Sequence, residues 1–147
     1  MYTPLLPDET ETIVLPPLEA STVIRRGVPR HLSLLHALAW VVRLPVYLQE
    51  TTSGLYVSRR DLIAQWSREL DTLDVDELSR RLQTGIVVID ARTEESLLPT
   101  RLDDYDRFVV LLRLDSKYYE PLEVEGATVL DATSSALVQI RAAVSSP

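Results

Sequence analysis

The sequence predicts an α+β domain: a small, mostly antiparallel sheet packed on a buried central helix, with flanking helices and an extended N-terminal arm. Three observations lead there. Residues 33–42 are apolar on every side (Leu34, Leu35, Leu38, Trp40, Val41, Val42), which marks a helix without a solvent face. Ile86-Val87-Val88-Ile89 and the run Phe108-Val109-Val110-Leu111-Leu112 are short, continuous apolar stretches of the kind found in buried strands. Helices and strands come in separate blocks rather than in alternation, which favours α+β over a parallel α/β sheet.

Residues 1–20 carry Pro4, Pro7, Pro16 and Pro17, so the sequence predicts an arm with one short strand at 12–15. The arm also holds Leu5, Leu6, Ile13, Val14 and Leu15, too apolar for a solvated linker; these five are the candidate interface. The domain proper is expected at 21–147. A short strand at 21–26 is broken by Gly27 and Pro29, and the buried helix follows. Pro45 perturbs or ends it, and Thr51-Thr52-Ser53-Gly54 reads as a loop.

Two amphipathic helices come next. Ser58 caps the first, with Leu62, Ile63, Trp66 and Leu70 as its stripe. Asp74 and Glu77 form a capping pattern for the second, lined by Val75, Leu78 and Leu82, with Gly85 in the left-handed position at its end. After strand 86–89, a polar loop at 92–106 leads to strand 107–114. Asp115-Ser116 turns it into 117–124, a hairpin. Glu125-Gly126 turns into a short strand at 127–130. Asp131 or Thr133 caps a last helix with the stripe Leu137, Ile140 and Val144.

Composition narrows the function. The 147 residues suit one domain with a real core. There is no cysteine, so disulfides, thiolate zinc sites and cysteine nucleophiles are all excluded. A net charge of −7 argues against binding nucleic acid. Arg25, Arg26, Arg30 and His31 form the one basic cluster, read as an ion-pairing or interface patch. No apolar run reaches the roughly 18 residues of a membrane span, and no secretory signal is expected. The acids Glu94, Glu95, Asp103, Asp104 and Asp106 read by default as a solvated loop, with a cation site as the alternative; nothing has the spacing of a zinc site, and no cofactor is expected. Tyr118 and Tyr119 point to opposite faces, one to the core and one to the surface.

Several segments, in order, resemble the ovarian-tumour (OTU) cysteine protease fold, and in particular the divergent OTU-like proteins of large DNA viruses. They are Ser33-Leu34-Leu35-His36-Ala37-Leu38, Tyr56-Val57-Ser58-Arg59-Arg60-Asp61-Leu62, Gly85-Ile86-Val87-Val88-Ile89 and the closing Tyr118-Tyr119-Glu120-Pro121-Leu122. The resemblance spans about residues 27–124. It sets Ser33 at the nucleophile position, Tyr118 at the base position and Glu120 at the acid position. Arg30-His31-Leu32 stands where the family has Asp-Gly-Asn. A serine hydroxyl needs a base within hydrogen-bond reach, and a phenol is a poor one at neutral pH. Ser33 reads most simply as a helix N-cap, and His36 as a buried histidine bonded to backbone.

The resemblance thus implies a catalytically inactive OTU-like domain, a pseudo-protease serving as a structural or protein-binding module. Its viral flavour implies a virion component, such as a minor capsid protein with capsid subunits as partners, in the virion or the host cytoplasm. The alternative is a non-catalytic ubiquitin-binding regulator, and a third reading is a Ser33-dependent hydrolase.

Overall fold

The computed structural model describes residues 2–30, 33–42, 72–115 and 117–145. The expected helix from Ser58, the loop at 51–54, the match at 56–62, and His31 and Ser116 lie outside them.

Among the described residues, seven strands form one sheet: β1 (Thr10–Ile13), β2 (Val23–Arg26), β3 (Gly85–Asp90), β4 (Ser96–Leu97), β5 (Arg107–Arg113), β6 (Tyr119–Val124) and β7 (Leu130–Asp131). Their order is β1-β2-β6-β5-β3-β4, with β7 also pairing β5. β3 and β5 run parallel and the other pairs antiparallel. The described helices are α1 (Ser33–Val42), α2 (Thr72–Leu82) and α3 (Ser135–Ser145). This is the α+β architecture that the sequence predicts, and α1 has the expected bounds.

The sheet is covered on both faces. α1 and α2 pack on one, where Leu34, Ala37, Leu38, Val41, Val75 and Leu78 meet Ile86, Val88, Val109, Leu111 and Tyr119. On the other, Leu137 and Ile140 of α3 meet Val87, Ile89, Phe108, Val110, Leu112 and Leu122. Every residue of β3 is buried, and so is all of β5 after Arg107. Two-sided coverage is the physical reason these strands read as unbroken apolar runs rather than alternating ones. It also corrects the expectation for the tyrosines. Tyr118 and Tyr119 do point to opposite faces, but both are buried, one in each core.

Local chemistry departs from expectation at several boundaries. α2 starts at Thr72, so Asp74 lies in its first turn instead of capping it. The left-handed residue after α2 is Gln83 (φ 52°), not Gly85. The Gln83 N–H donates to the Arg80 carbonyl and the Thr84 N–H to the Ser79 carbonyl, the paired bonds of a Schellman ending. Gly85 serves space instead: a Cβ there would collide with the Phe108 ring. The Ser79 hydroxyl then accepts the Ile86 N–H at 2.9 Å, joining α2 to β3. The Glu125-Gly126 turn forms as predicted, with both residues at positive φ and reciprocal bonds between Val124 and Ala127. The strand after it is shorter and later than 127–130. α3 is capped by Ser134, whose hydroxyl accepts the Leu137 N–H, rather than by Asp131 or Thr133.

The N-terminal segment is woven into this fold. Its strand lies at Thr10–Ile13, two residues earlier than expected, and pairs with β2. Ile13, Leu15 and Leu18 enter the α3-side core, so residues 2–20 are not separate from 21–147 in the packing. Of the five candidate interface residues, Ile13 and Leu15 are buried within the chain and Leu5 is half-buried. Leu6 and Val14 are exposed. Strand alternation explains the split, because Ile13 and Leu15 share the inward face while Val14 points away.

Candidate functional site

α1 approaches the β5–β6 hairpin with its first residue. The Ser33 hydroxyl is buried, donates to the Lys117 carbonyl at 3.1 Å and accepts the Tyr119 N–H at 3.0 Å. These bonds link elements more than 80 residues apart in sequence, a role the N-cap reading did not foresee. A hydroxyl has one proton, and here it is directed at a carbonyl oxygen. His36, one turn along, is half-buried and has interactions of its own.

The hairpin turn is shaped by Asp115, whose Oδ1 accepts the N–H groups of Lys117 and Tyr118. This sets Tyr118 on the α3-side face and Tyr119 on the α1 side. The Tyr118 hydroxyl donates to Glu120 Oε2 at 3.0 Å, and the Val28 carbonyl lies farther off at 3.4 Å. Burial, and then the Glu120 charge and hydrogen bond, push its pKa up to about 12. At neutral pH it is a donor.

Glu120 has no exposed surface, and its carboxylate is well bonded. Oε1 accepts Arg25 Nη1 at 2.9 Å; Oε2 accepts the Leu5 N–H at 3.1 Å and the Tyr118 hydroxyl. Arg25 spreads its remaining donors over Glu11 Oε1 and the Thr3 carbonyl, both at 2.9 Å, and lies over the Tyr2 ring. The β2–β6 ladder ends at Arg25–Leu122, and the next residue on β6 is Pro121, which has no N–H to give.

The N-terminal segment closes over this network. Leu6, Pro7, Asp8 and Glu9 form a turn in which the Glu9 N–H donates to the Leu6 carbonyl, with Asp8 at φ 68°. The Leu6 carbonyl sits so close to Gly27 that a Cβ there would strike it. The three arginines of the basic cluster have local partners. Arg25 is an ion-pair residue, Arg26 lies over the Trp40 ring at 4.2 Å, and Arg30 lies over the Tyr118 ring at 5.8 Å.

A second polar row escaped sequence reasoning. Asp90, Arg113 and Tyr119 are cross-strand neighbours on β3, β5 and β6. Asp90 Oδ2 receives Arg113 Nε at 3.0 Å and Arg92 Nη2 at 3.0 Å, while Oδ1 accepts the Arg92 N–H at 2.8 Å. Burial alone would raise the Asp90 pKa; the bonds from Arg92 and Arg113 reverse this and hold it well below the usual carboxylate range. Burial acts to lower the Arg113 pKa, but hydrogen bonds with Tyr119 and Asp90 raise it overall. The available signal was a strand run that begins or ends on a charge, Asp90 and Arg113, with no solvent face to place it on.

The loop acids do not gather into a ligand set. Asp103 and Asp104 are exposed, and Asp104 pairs with Arg101 at 3.4 Å. Asp104 borders a cleft of about 890 Å³ between α2 and the start of β5, lined by Asp76, Arg80, Tyr105 and Arg107 among others.

A two-sided mixed sheet with a buried helix whose first residue meets the β5–β6 hairpin is an α+β fold of the OTU-like kind. A solved structure of an ovarian tumour (OTU) domain in complex with ubiquitin superposes on this chain with a TM-score of 0.59 and 16% sequence identity, covering 95% of this chain and 91% of that one. No protein-family model and no curated protein sequence matches the chain.

Proposed function

We propose that this chain is an OTU-like domain without catalytic activity, serving as a structural and protein-binding module. One observation carries the reading: all three positions that would run the chemistry are engaged in structural bonds. The Ser33 hydroxyl donates to a carbonyl, the Tyr118 hydroxyl donates to Glu120, and Glu120 is ion-paired with Arg25. Nucleophilic catalysis needs a base that takes the nucleophile's proton, and a phenol whose pKa is near 12 does not do so at neutral pH. The same geometry speaks against a Ser33-dependent hydrolase.

The resemblance to OTU-like proteins of large DNA viruses supports the finer reading of a viral virion component, such as a minor capsid protein held among capsid subunits, located in the virion or the host cytoplasm. A second reading, a ubiquitin-binding regulator, is favoured by the superposing OTU domain, which is in complex with ubiquitin.

The test uses the full chain. Incubated with ubiquitin chains and with a ubiquitin probe bearing a C-terminal electrophile, it should give neither cleavage nor adduct. Turnover that Ser33→Ala abolishes would overturn the proposal. Titration with ubiquitin and copurification with assembled particles then separate the two partner readings.

A further inference from the structure

We propose that the outer edge of β1 docks an extended, positively charged segment of a partner protein, which adds to the sheet as a further strand. The inference rests on the reading of the chain as a binding module and gives the chemistry of its partner. β1 ends the path of the sheet, and among the described residues no strand pairs with its outer side. The Gly27 N–H donates to the Glu9 carbonyl. Antiparallel pairs alternate between bonded and unbonded, so Glu11 and Ile13 direct their peptide groups at β2. The N–H and C=O groups of Thr10 and Thr12 therefore face outward. Thr10, Glu11 and Thr12 are exposed. Such a row of unpaired groups is a template for strand addition.

Side chains at both ends add to it. Leu6 is 70% and Val14 72% exposed, and they flank β1 on either side. Among the described residues of this segment, the other large apolar side chains are wholly or partly buried, which makes these two exceptions informative.

Charge selects the occupant. Asp8, Glu9 and Glu11 lie along this edge; the Asp8 side chain is 88% exposed, and its contact with Arg26 is long at 3.8 Å. Arg25 on the adjacent strand is buried against Glu120 and Glu11. A second copy of the chain, related by a two-fold axis, would set these acids against themselves. The chain's net charge of −7 adds to that repulsion. A segment alternating basic and apolar residues meets both features, since residues two apart share a face of a strand.

The probe is a synthetic peptide of alternating lysine and valine, titrated into the isotope-labelled full chain and followed by amide NMR. Saturable binding that protects the Thr10 and Thr12 amides from exchange is expected. The same peptide N-methylated at alternate residues keeps its charge but cannot extend the ladder; it should bind at least about tenfold more weakly. Thr12→Pro removes an outward N–H while leaving the inward bonds, and should weaken binding by a similar factor. If that variant is not folded, Val14→Ser and Asp8→Asn report the flanking contact and the charge, and each should weaken binding. Equal affinity for the methylated peptide, protection elsewhere in the sheet, or a β1-edge homodimer in sedimentation would each overturn the inference. Capture of ubiquitin or particles that survives Thr12→Pro would sink the edge and leave the binding-module reading intact. Ubiquitin cleavage would sink that reading instead.

Discussion

Arg25 and Glu120 form an ion pair sealed from solvent, Nη1 to Oε1 at 2.9 Å, with 2% and 0% of the two side chains exposed. Each ion needs the other. Removing one partner of a buried pair leaves an uncompensated charge, at a cost of about 3–5 kcal/mol. Arg25→Met should therefore lower the urea midpoint substantially. Glu120→Gln should cost less than Glu120→Leu, because an amide still accepts from the Leu5 N–H. A neutral Arg25→Met would show that the pair is not sealed in solution.

Tyr118 reports on the same network. Its pKa is raised to about 12 by burial and by Glu120. A raised folded value means that stability is fully present below the unfolded value of 10.0 and is lost as pH rises toward 12. Spectrophotometric titration should find a late-ionising tyrosine that is missing in Tyr118→Phe and ionises earlier in Glu120→Gln.

Ser33→Ala orphans two backbone groups, the Tyr119 N–H and the Lys117 carbonyl. Each unsatisfied buried group costs about 1–3 kcal/mol, so the variant should lose more than the roughly 1 kcal/mol of a missing N-cap. Denaturant unfolding measures it. Loss of no more than the N-cap value would mean that water reaches the hairpin.

Deletion of residues 1–20 removes Ile13, Leu15 and Leu18 from the core and the Leu5 and Thr3 partners of Glu120 and Arg25. At about 1.5–3 kcal/mol per buried apolar side chain, the loss is comparable to the whole stability of an ordinary domain. The truncated chain should lose its cooperative melting transition. A melt close to that of the full chain would show that this segment is dispensable.

Acid should unfold the protein partly through Asp90. Its folded pKa is depressed below the ordinary 3.8, so its contribution is present above that value and lost as pH falls below it. Asp90→Asn should be less stable at neutral pH and show a shallower fall in stability between about pH 5 and pH 2. Parallel pH series of urea melts would test this; identical acid limbs would exclude Asp90.

The extent of the helix α1, the burial of 86–89, the strand that starts at Arg107, the Glu125-Gly126 turn and the Asp115 turn were all legible in the sequence. Each depends on residues a few positions apart, where apolar continuity and turn chemistry act directly. Ser33, Tyr118 and Glu120 were singled out in the sequence only through resemblance. Their partners were not, because Arg25, Leu5 and Lys117 lie 84 to 115 residues away in sequence from the side chains they meet.

The sequence by itself determined which segments had to be buried and that no thiol is present, since hydrophobicity and cysteine content are properties of residues. Only the tertiary structure decided that the sheet is covered on both faces, making both Tyr118 and Tyr119 core residues. It also decided that the N-terminal segment belongs to that core and that Glu120 is answered by Arg25. A buried charge must be neutralised wherever it falls, and which cation arrives depends on strand order: β2 lies beside β6 in this sheet, a proximity that no local pattern encodes.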